Sequence, residues 1–365
     1  MRTTALALPG ATPGIQYELT AHAFGSVGGR PKIYVQAGLH AGEAPGMLAA
    51  HHLLGLLRTH EAAGRITGEI VVVPLANPIG LGQRVLGTEL GRFHLADGVN
   101  FNRDYPLLTP DIEWTDDADA NRTAYRVALL AARAAILATT PVQHLKRTLL
   151  GLALDADLVL DLHCDTQAPV HLYTLTPAAD AVTPLAALLG ARAVLLATES
   201  GGNAFDEACS RPWLLAQERN PARKIDLACT SVTVELRGRA DVSHALAEAD
   251  AAALADYMIL VGVIDAPLPA IPALLCTPTP LSACESLVTP CAGIIVFQLA
   301  AGDRVAAGQV VADIVDPAAG TCEQVRAQSE GIVFSLTTDR FAAPGQRLGE
   351  IAGTTLRRTG PLLTP

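Results

Sequence analysis

Lysine is nearly missing from this chain: among 365 residues it occurs only as Lys32, Lys146 and Lys224. Arginine supplies the rest of the positive charge, a compositional habit with no functional sign of its own. The formal net charge is -10. No basic stripe or Lys/Arg cluster interleaved with aromatics is present, so nucleic acid is not an expected partner. A mild acidic balance is ordinary for a soluble enzyme and mainly aids solubility. Long hydrophobic runs are lacking too. The apolar run at the N-terminus is too short for a signal peptide. The most apolar later stretch, around Met258 to Val263, falls far below the roughly 20 residues that a membrane span needs. The expectation is a soluble, cytoplasmic protein with no membrane partner. The seven cysteines, Cys164, Cys209, Cys229, Cys276, Cys284, Cys291 and Cys322, include no C-x-x-C pair. An odd count without that spacing argues against a disulfide framework or a cysteine zinc cage, and for buried free thiols.

What is present forms cores. Half of the residues are hydrophobic and 17% are charged, ample for a substantial interior and contrary to disorder. The length fits a large and a small domain. Short apolar runs alternate with helical patterns: strands are expected at 32–37, 69–74, 157–162, 191–196 and 231–236, and helices at 43–58, 120–139, 142–153 and 243–263. That alternation indicates an α/β domain with a largely parallel sheet flanked by helices. After a Pro-rich stretch at 266–272, Val/Ile runs punctuated by Gly, Pro and Asp indicate a small all-β module. The expected domains are 1–270 and 280–355. The module echoes itself: Gly293-Ile-Ile-Val-Phe followed by Gly302-Asp-Arg-Val-Ala-Ala-Gly-Gln is matched by Gly331-Ile-Val-Phe followed by Phe341-Ala-Ala-Pro-Gly-Gln. Two similar half-units predict a pseudo-symmetric sandwich or barrel. The acidic stretch between Leu107 and Arg122 reads as a solvated loop, with a substrate-shaping insertion as the alternative.

Four segments carry candidate chemistry. Gly38-Leu-His40-Ala-Gly-Glu43 follows a strand and precedes a helix, where ligands gather in α/β sheets. The flanking glycines allow the turn that brings His40 and Glu43 onto one ion. Asp161-Leu-His163 ends an apolar strand, and His163 supplies the third ligand that a His2Glu catalytic zinc site needs. Asp161, two residues earlier on the same strand face, either orients a ligand or is a buried structural carboxylate. Glu235, at the end of the last strand of the large domain, suits a general base beside activated water, or else an ion pair with Arg237 or Arg239. In the segment from Arg92 to Arg103, the Arg103 fork suits a substrate carboxylate that Asn102 could share, and Arg92 suits an oxyanion; each alone is equally at home in a surface salt bridge. His51 and His52 read as structural. His94, Tyr105 and His171 are open between structure and pocket lining.

In this order along the chain, these pieces resemble the succinylglutamate desuccinylase/aspartoacylase family of zinc carboxypeptidase-like hydrolases. The matches are Gly-Leu-His40-Ala-Gly-Glu43, Asn77-Pro78, Arg92 with Asp-Gly-Val-Asn-Phe-Asn102-Arg103, Asp-Leu-His163 and Val-Glu235-Leu. The resemblance implies one Zn2+ per chain held by His40, Glu43 and His163. It implies that Glu235 handles the proton, Arg92 polarises the scissile carbonyl, and Asn102 with Arg103 grips the substrate carboxylate. Phe101 stands where the family usually has Leu, and Cys164 with Asp165 where it often has Ser, Asn or Gly; both bear on the substrate more than on the chemistry. The C-terminal module looks like the biotinyl/lipoyl type. A carrier role needs a modifiable lysine at a hairpin tip, and no lysine follows Lys224, so the module is expected to cap the large domain, narrow its entrance or support assembly. The expected activity is removal of the acyl group from a small N-acyl amino acid. A metallocarboxypeptidase acting on peptides is the second reading, and a non-catalytic zinc-binding protein the third. Acyl group, amino acid and the choice between monomer and homo-oligomer stay open.

Overall fold

The computed structural model describes residues 1–355 except Lys224, together with Arg358 and Leu362. Its centre is a nine-stranded mixed sheet. The strands are β1 (Arg2–Pro9), β2 (Gln16–Gly25), β3 (Lys32–Ala37), β4 (Glu69–Val73), β5 (Leu158–Asp165), β6 (His171–Leu175), β7 (Ala193–Ala197), β8 (Thr230–Gly238) and β9 (Thr279–Pro280), in the order β1-β2-β4-β3-β5-β8-β6-β7-β9. The inner strands β4, β3, β5 and β8 run parallel, while β1, β2 and β6 pair antiparallel with a neighbour. The sheet is thus mixed around a parallel heart. The apolar runs KIYVQA and EIVVV are buried throughout, as strands covered on both faces must be.

Helices cover both faces. α1 (Ala44–Ala62), α4 (Ala179–Leu188) and α6 (His244–Leu260) share one core with Ile33, Val35, Leu160 and Leu162. α2 (Ala118–Ala134), α3 (Pro141–Ala153) and α5 (Phe205–Arg219) share the other with Tyr34, Val71 and Val159. Each fully buried Val, Leu or Ile side chain contributes roughly 1.5–3 kcal/mol. α3 starts where its local chemistry directs: Thr140 accepts from Gln143 N, the Gln143 side chain returns to the Thr140 backbone, and Pro141 fills the first turn. The strands β1, β2 and β6 and the helices α4 and α5 extend the expected set. β6 and β1 lack a long apolar run, and α5 carries Pro212 inside a mixed pattern.

The C-terminal strands are β10 (Cys284–Val288), β11 (Gly293–Phe297), β12 (Arg304–Val305), β13 (Val310–Asp316), β14 (Thr321–Arg326), β15 (Gly331–Leu336), β16 (Phe341–Ala342) and β17 (Arg347–Gly353). They form two four-stranded sheets, β10-β17-β15-β12 and β14-β13-β11-β16, around Leu287, Ile295, Val311 and Val333. The sequence echo has a structural form. The matched strands β11 and β15 lie in opposite sheets, and each half's short strand crosses over to pair with the other half, β12 with β15 and β16 with β11. These sheets dock on the large one through Phe334, which packs with Ala193, Leu195 and Leu281. Gln167 and Leu336 also exchange backbone hydrogen bonds of 3.1 and 2.9 Å.

Candidate metal centre

The parallel strands β3, β5 and β8 end together, and the chemistry collects there. Gly38 leaves β3 at a φ of 72°, a conformation glycine reaches without strain, and the chain turns so that Leu39-His40 lies over the sheet end. Asn77 fixes this turn. Its amide donates to Leu39 O at 2.8 Å while its oxygen accepts from Gly80 N at 2.8 Å. Glu43 is the N-cap residue of α1, yet its side chain makes no capping hydrogen bond. Its carboxylate points instead between two histidines: Oε1 lies 3.0 Å from His40 Nδ1 and Oε2 2.7 Å from His163 Nδ1. Cys164 N also donates to Oε2, at 3.2 Å. All three side chains are buried, and the imidazole centroids are 5.0 Å apart.

The far nitrogens of both rings are held. His40 Nε2 is 2.9 Å from Asn100 Oδ1, and His163 Nε2 is 3.0 Å from Asp161 Oδ2. The Asn100 acceptor on His40 Nε2 favours a proton there and leaves the His40 Nδ1 lone pair facing Glu43, the arrangement found around metal-binding histidines. Asp161 stands beside the His163 ring as a buried carboxylate charge. It is fully buried and accepts from Gln36 Nε2 at 2.9 Å, and Gln36 in turn accepts from Tyr34 OH at 3.0 Å. The alternation of a strand puts Tyr34 and Gln36 on the same face as Asp161 and His163.

The electrostatics suit a cation. Burial drives the His40 imidazole down to about 4, so it is neutral and available as a ligand. Burial alone would raise Glu43, but His40 and His163 hold it well below the usual carboxylate range. Burial works against a charge on His163 as well, and the Asp161 and Glu43 carboxylates overcome it and raise that imidazole. One oxygen and two nitrogens, with two carboxylates flanking one ring, form a His2Glu donor set that fits a borderline divalent ion such as zinc. One ligand atom from each of the three residues lies within 4.8 Å of the others.

Glu235 is paired in register with His163 across β8 and β5, and with His171 on its other side. Its Oε2 is buried without a hydrogen-bond partner among the described residues. Arg237, at a φ of 64°, turns away to pair with Asp250, which removes the Glu235–Arg237 ion pair as an explanation. Burial, with the Glu43 and Asp165 carboxylates behind it, pushes Glu235 up to about 8. Arg92 Nη1 is 3.2 Å from His40 Nδ1 and 3.6 Å from Glu43 Oε1. Asn102 and Arg103 line the same cavity, but the Asn102 amide has internal work. Its Oδ1 accepts from Phe205 N at 2.9 Å, and its Nδ2 is 3.3 Å from His163 Nε2. Arg103 Nη1 donates to Asn102 O at 2.8 Å.

The cavity, about 120 Å³, gathers His40, Glu43, Arg92, Asn102, Arg103, His163 and Glu235. Its lining also holds residues that sequence reasoning passed over: Asp206 and Glu207 in the first turn of α5, and Leu281, Arg347 and Glu350 from the C-terminal part of the chain. Glu350 is ion-paired with Arg347 at 3.3 Å and Arg358 at 3.2 Å. Asn100 was visible as the first asparagine of the Asn-Phe-Asn motif, whereas nothing local marks Arg347 or Glu350 as reaching a site so distant in the chain. Among the residues left open, His171 is buried with its ring against Phe334 and Tyr173, His94 pairs with Asp97, and Tyr105 packs edge-on to Phe205. In the acidic stretch, Asp117 caps α2 and Asp116 pairs with Arg223.

Comparisons with known proteins bear on the family and the fold. Residues 29–261 match the model of the succinylglutamate desuccinylase/aspartoacylase catalytic domain. A crystal structure of a family protein from Shewanella amazonensis SB2B is 25% identical, covering 96% of this chain and 98% of that one, with a TM-score of 0.84. One from Shewanella frigidimarina NCIMB 400 is 24% identical over 96% of this chain and 97% of its own, with a TM-score of 0.83. The product-bound ectoine utilization protein EutE (DoeB) from Ruegeria pomeroyi shares the fold at 18% identity and a TM-score of 0.67, over 97% of this chain and 95% of its own. No curated protein matches. The chain belongs to the succinylglutamate desuccinylase/aspartoacylase family.

Proposed function

We propose that this protein is a zinc-dependent amidohydrolase that removes the acyl group from a small N-acyl amino acid. The observation that carries this reading is the convergence of His40 Nδ1 and His163 Nδ1 on the Glu43 carboxylate, with Glu235 Oε2, partnerless among the described residues, in register on the adjacent strand. His40, Glu43 and His163 would hold one zinc per chain, which when bound polarises a carbonyl and lowers the pKa of water to about 7. Glu235, its ionised form favoured by a divalent cation in that donor set, would then take the proton of the attacking water and return it to the leaving nitrogen. Arg92, against His40 and Glu43, faces the negative charge that develops on the carbonyl oxygen. Arg103 supplies the charge for the substrate carboxylate, and Asn102 holds that corner of the pocket together. The products are a carboxylate and a free amino acid. The division into a catalytic unit at 1–270 and a β unit at 280–355, and a cytoplasmic location, belong to the same reading. Among the described residues no helix is long and apolar enough to cross a membrane.

The same side chains would serve a carboxypeptidase. The small cavity and its cover of Leu281, Arg347 and Glu350 support the shorter substrate. Zinc-loaded protein assayed against N-acyl amino acids beside blocked dipeptides and tripeptides separates the two. Release from the acyl amino acids alone is expected. Preferential trimming of peptides would replace this reading with the carboxypeptidase, and stoichiometric zinc without hydrolysis of any amide would leave a zinc-binding protein.

A further inference from the structure

The adjacent histidines His51 and His52 have no part in the chemistry above, and the fold gives one of them partners. α1 and α6 lie side by side on the sheet within one core. His52 projects from α1 toward the N-terminus of α6, whose first residue is His244. His52 Nε2 and His244 Nδ1 are 2.9 Å apart, and the rings meet edge-on at 5.2 Å and 86°. Glu248 lies four residues beyond His244, on the same helix face, and its Oε1 is 3.8 Å from His52 Nδ1. The His51 ring stands edge-on to His52 at 5.3 Å. One donor atom from each of His52, His244 and Glu248 falls within 4.8 Å of the others.

We propose that His52, His244 and Glu248 form a second divalent-metal site, distinct from the candidate catalytic centre and of the class that takes Zn2+, Ni2+ or Cu2+. Two imidazoles and a carboxylate are the donors these borderline ions prefer, and Ca2+ or Mg2+ would find too few oxygens. Two nitrogens on one tetrahedral zinc, at about 2.0–2.1 Å each, stand about 3.3 Å apart. The observed 2.9 Å therefore needs an opening of a few tenths of an ångström between the imidazoles, and the exposed Glu248 carboxylate swings from the Nδ1 side of His52 to join them. Without an ion, two imidazole nitrogens this close must share a single proton, and an ion satisfies both lone pairs. The His52 side chain is 19% exposed and that of Glu248 63%, so water completes the coordination and exchange is open to solvent. His52 lies nine residues beyond Glu43 on α1, roughly 13 Å along the helix axis, so neither site shares a ligand with the other. The ion would join residues 192 positions apart in sequence. It would tie the helix that begins beside Glu43 to the helix that follows the Glu235 strand.

Metal-stripped full-length protein, dialysed to equilibrium against buffered Zn2+, is compared with His52→Ala, His244→Ala and Glu248→Gln, counting zinc per chain. The wild type is expected to hold one ion more than His52→Ala or His244→Ala, with Glu248→Gln binding that ion several-fold more weakly. His163→Ala should keep the extra ion, so the result stands whatever happens at the candidate catalytic centre. Thermal unfolding gives a second readout: zinc should raise the midpoint of His163→Ala, and adding His244→Ala should abolish that rise. Equal zinc content in the wild type and both histidine variants would overturn the proposal, as would a zinc-induced rise that survives His244→Ala.

Discussion

Asp161 shows how much a single side chain is asked to do. It is fully buried, 3.0 Å from His163 Nε2, and steadied by Gln36 at 2.9 Å. Replacing it by Asn keeps the shape but removes the charge beside the His163 ring. Asp161→Asn is therefore expected to lower zinc affinity by about 10–100-fold, read as a shift in the zinc-binding isotherm with the fold intact by circular dichroism. Asp206 tests the electrostatics of the cavity lining contributed by α5. Burial, then the neighbouring Glu207 and Asp161, push it from 3.8 to about 7. The folded state therefore binds a proton that the unfolded chain releases near its ordinary value. Between about pH 4 and pH 7 the unfolded state holds fewer protons, so stability from this group falls as pH rises. In metal-free protein, Asp206→Asn should flatten the stability curve over that window and gain on the wild type toward pH 8. Parallel curves from urea titrations across the window would contradict the assignment. The residues of this site that the sequence singles out lie in short ordered motifs: His40 and Glu43 in the turn between β3 and α1, His163 near the end of β5 and Glu235 near the end of β8. Gln36 could have been found as a polar residue in an otherwise apolar buried strand.

The elements place those residues by close approach. Gly46 in α1 is one such point: a β-carbon there would lie 2.8 Å from Leu162 O and 3.0 Å from Leu162 Cβ. Leu162 precedes His163, and Gly46 follows Glu43 by one helical turn. Gly46→Ala should push α1 off β5, costing about 1–3 kcal/mol by overpacking. It should also spread Glu43 from His163, so that zinc affinity falls along with the unfolding midpoint. A variant as stable as the wild type with unchanged zinc binding would show that the helix does not set the ligand spacing. Most helices and the inner strands were legible because their apolar periodicity is strong. Strands β1 and β2 were not. They pair with each other as a local hairpin, but β1 is largely exposed and β2 mixes polar with apolar residues, so no apolar run announces them. The expected mostly parallel, mixed sheet is what forms, parallel at its heart with the antiparallel pairs β1–β2, β2–β4 and β8–β6 beside it.

At the scale of the whole molecule, the C-terminal sheets are a wall of the pocket as well as a separate core. Phe334 is fully buried where they meet the large sheet, with Leu195, Leu281 and the His171 ring around it. Phe334→Ala should cost about 3–5 kcal/mol. It should also loosen Arg347 and Glu350 over the cavity, raising KM more than it lowers kcat. The internal echo in the sequence was enough to predict two half-units. It could not reveal that Arg347 and Glu350 would line the same cavity as Arg92 and His40, because that depends on how the C-terminal sheets pack on the large one. The missing lysine is consistent with the same picture, a wall in place of a carrier.

The central claim is that Glu235 moves the proton in a zinc-dependent cleavage of an N-acyl amino acid. The most direct measurement is release of free amino acid by zinc-loaded wild type and Glu235→Ala, each before and after chelation, with zinc content measured alongside. Release by the wild type that chelation abolishes is expected. So is a loss of at least about 10²–10⁴-fold in Glu235→Ala while that variant still binds its zinc. Equal turnover by Glu235→Ala, or wild-type turnover that survives removal of the metal, would contradict the claim.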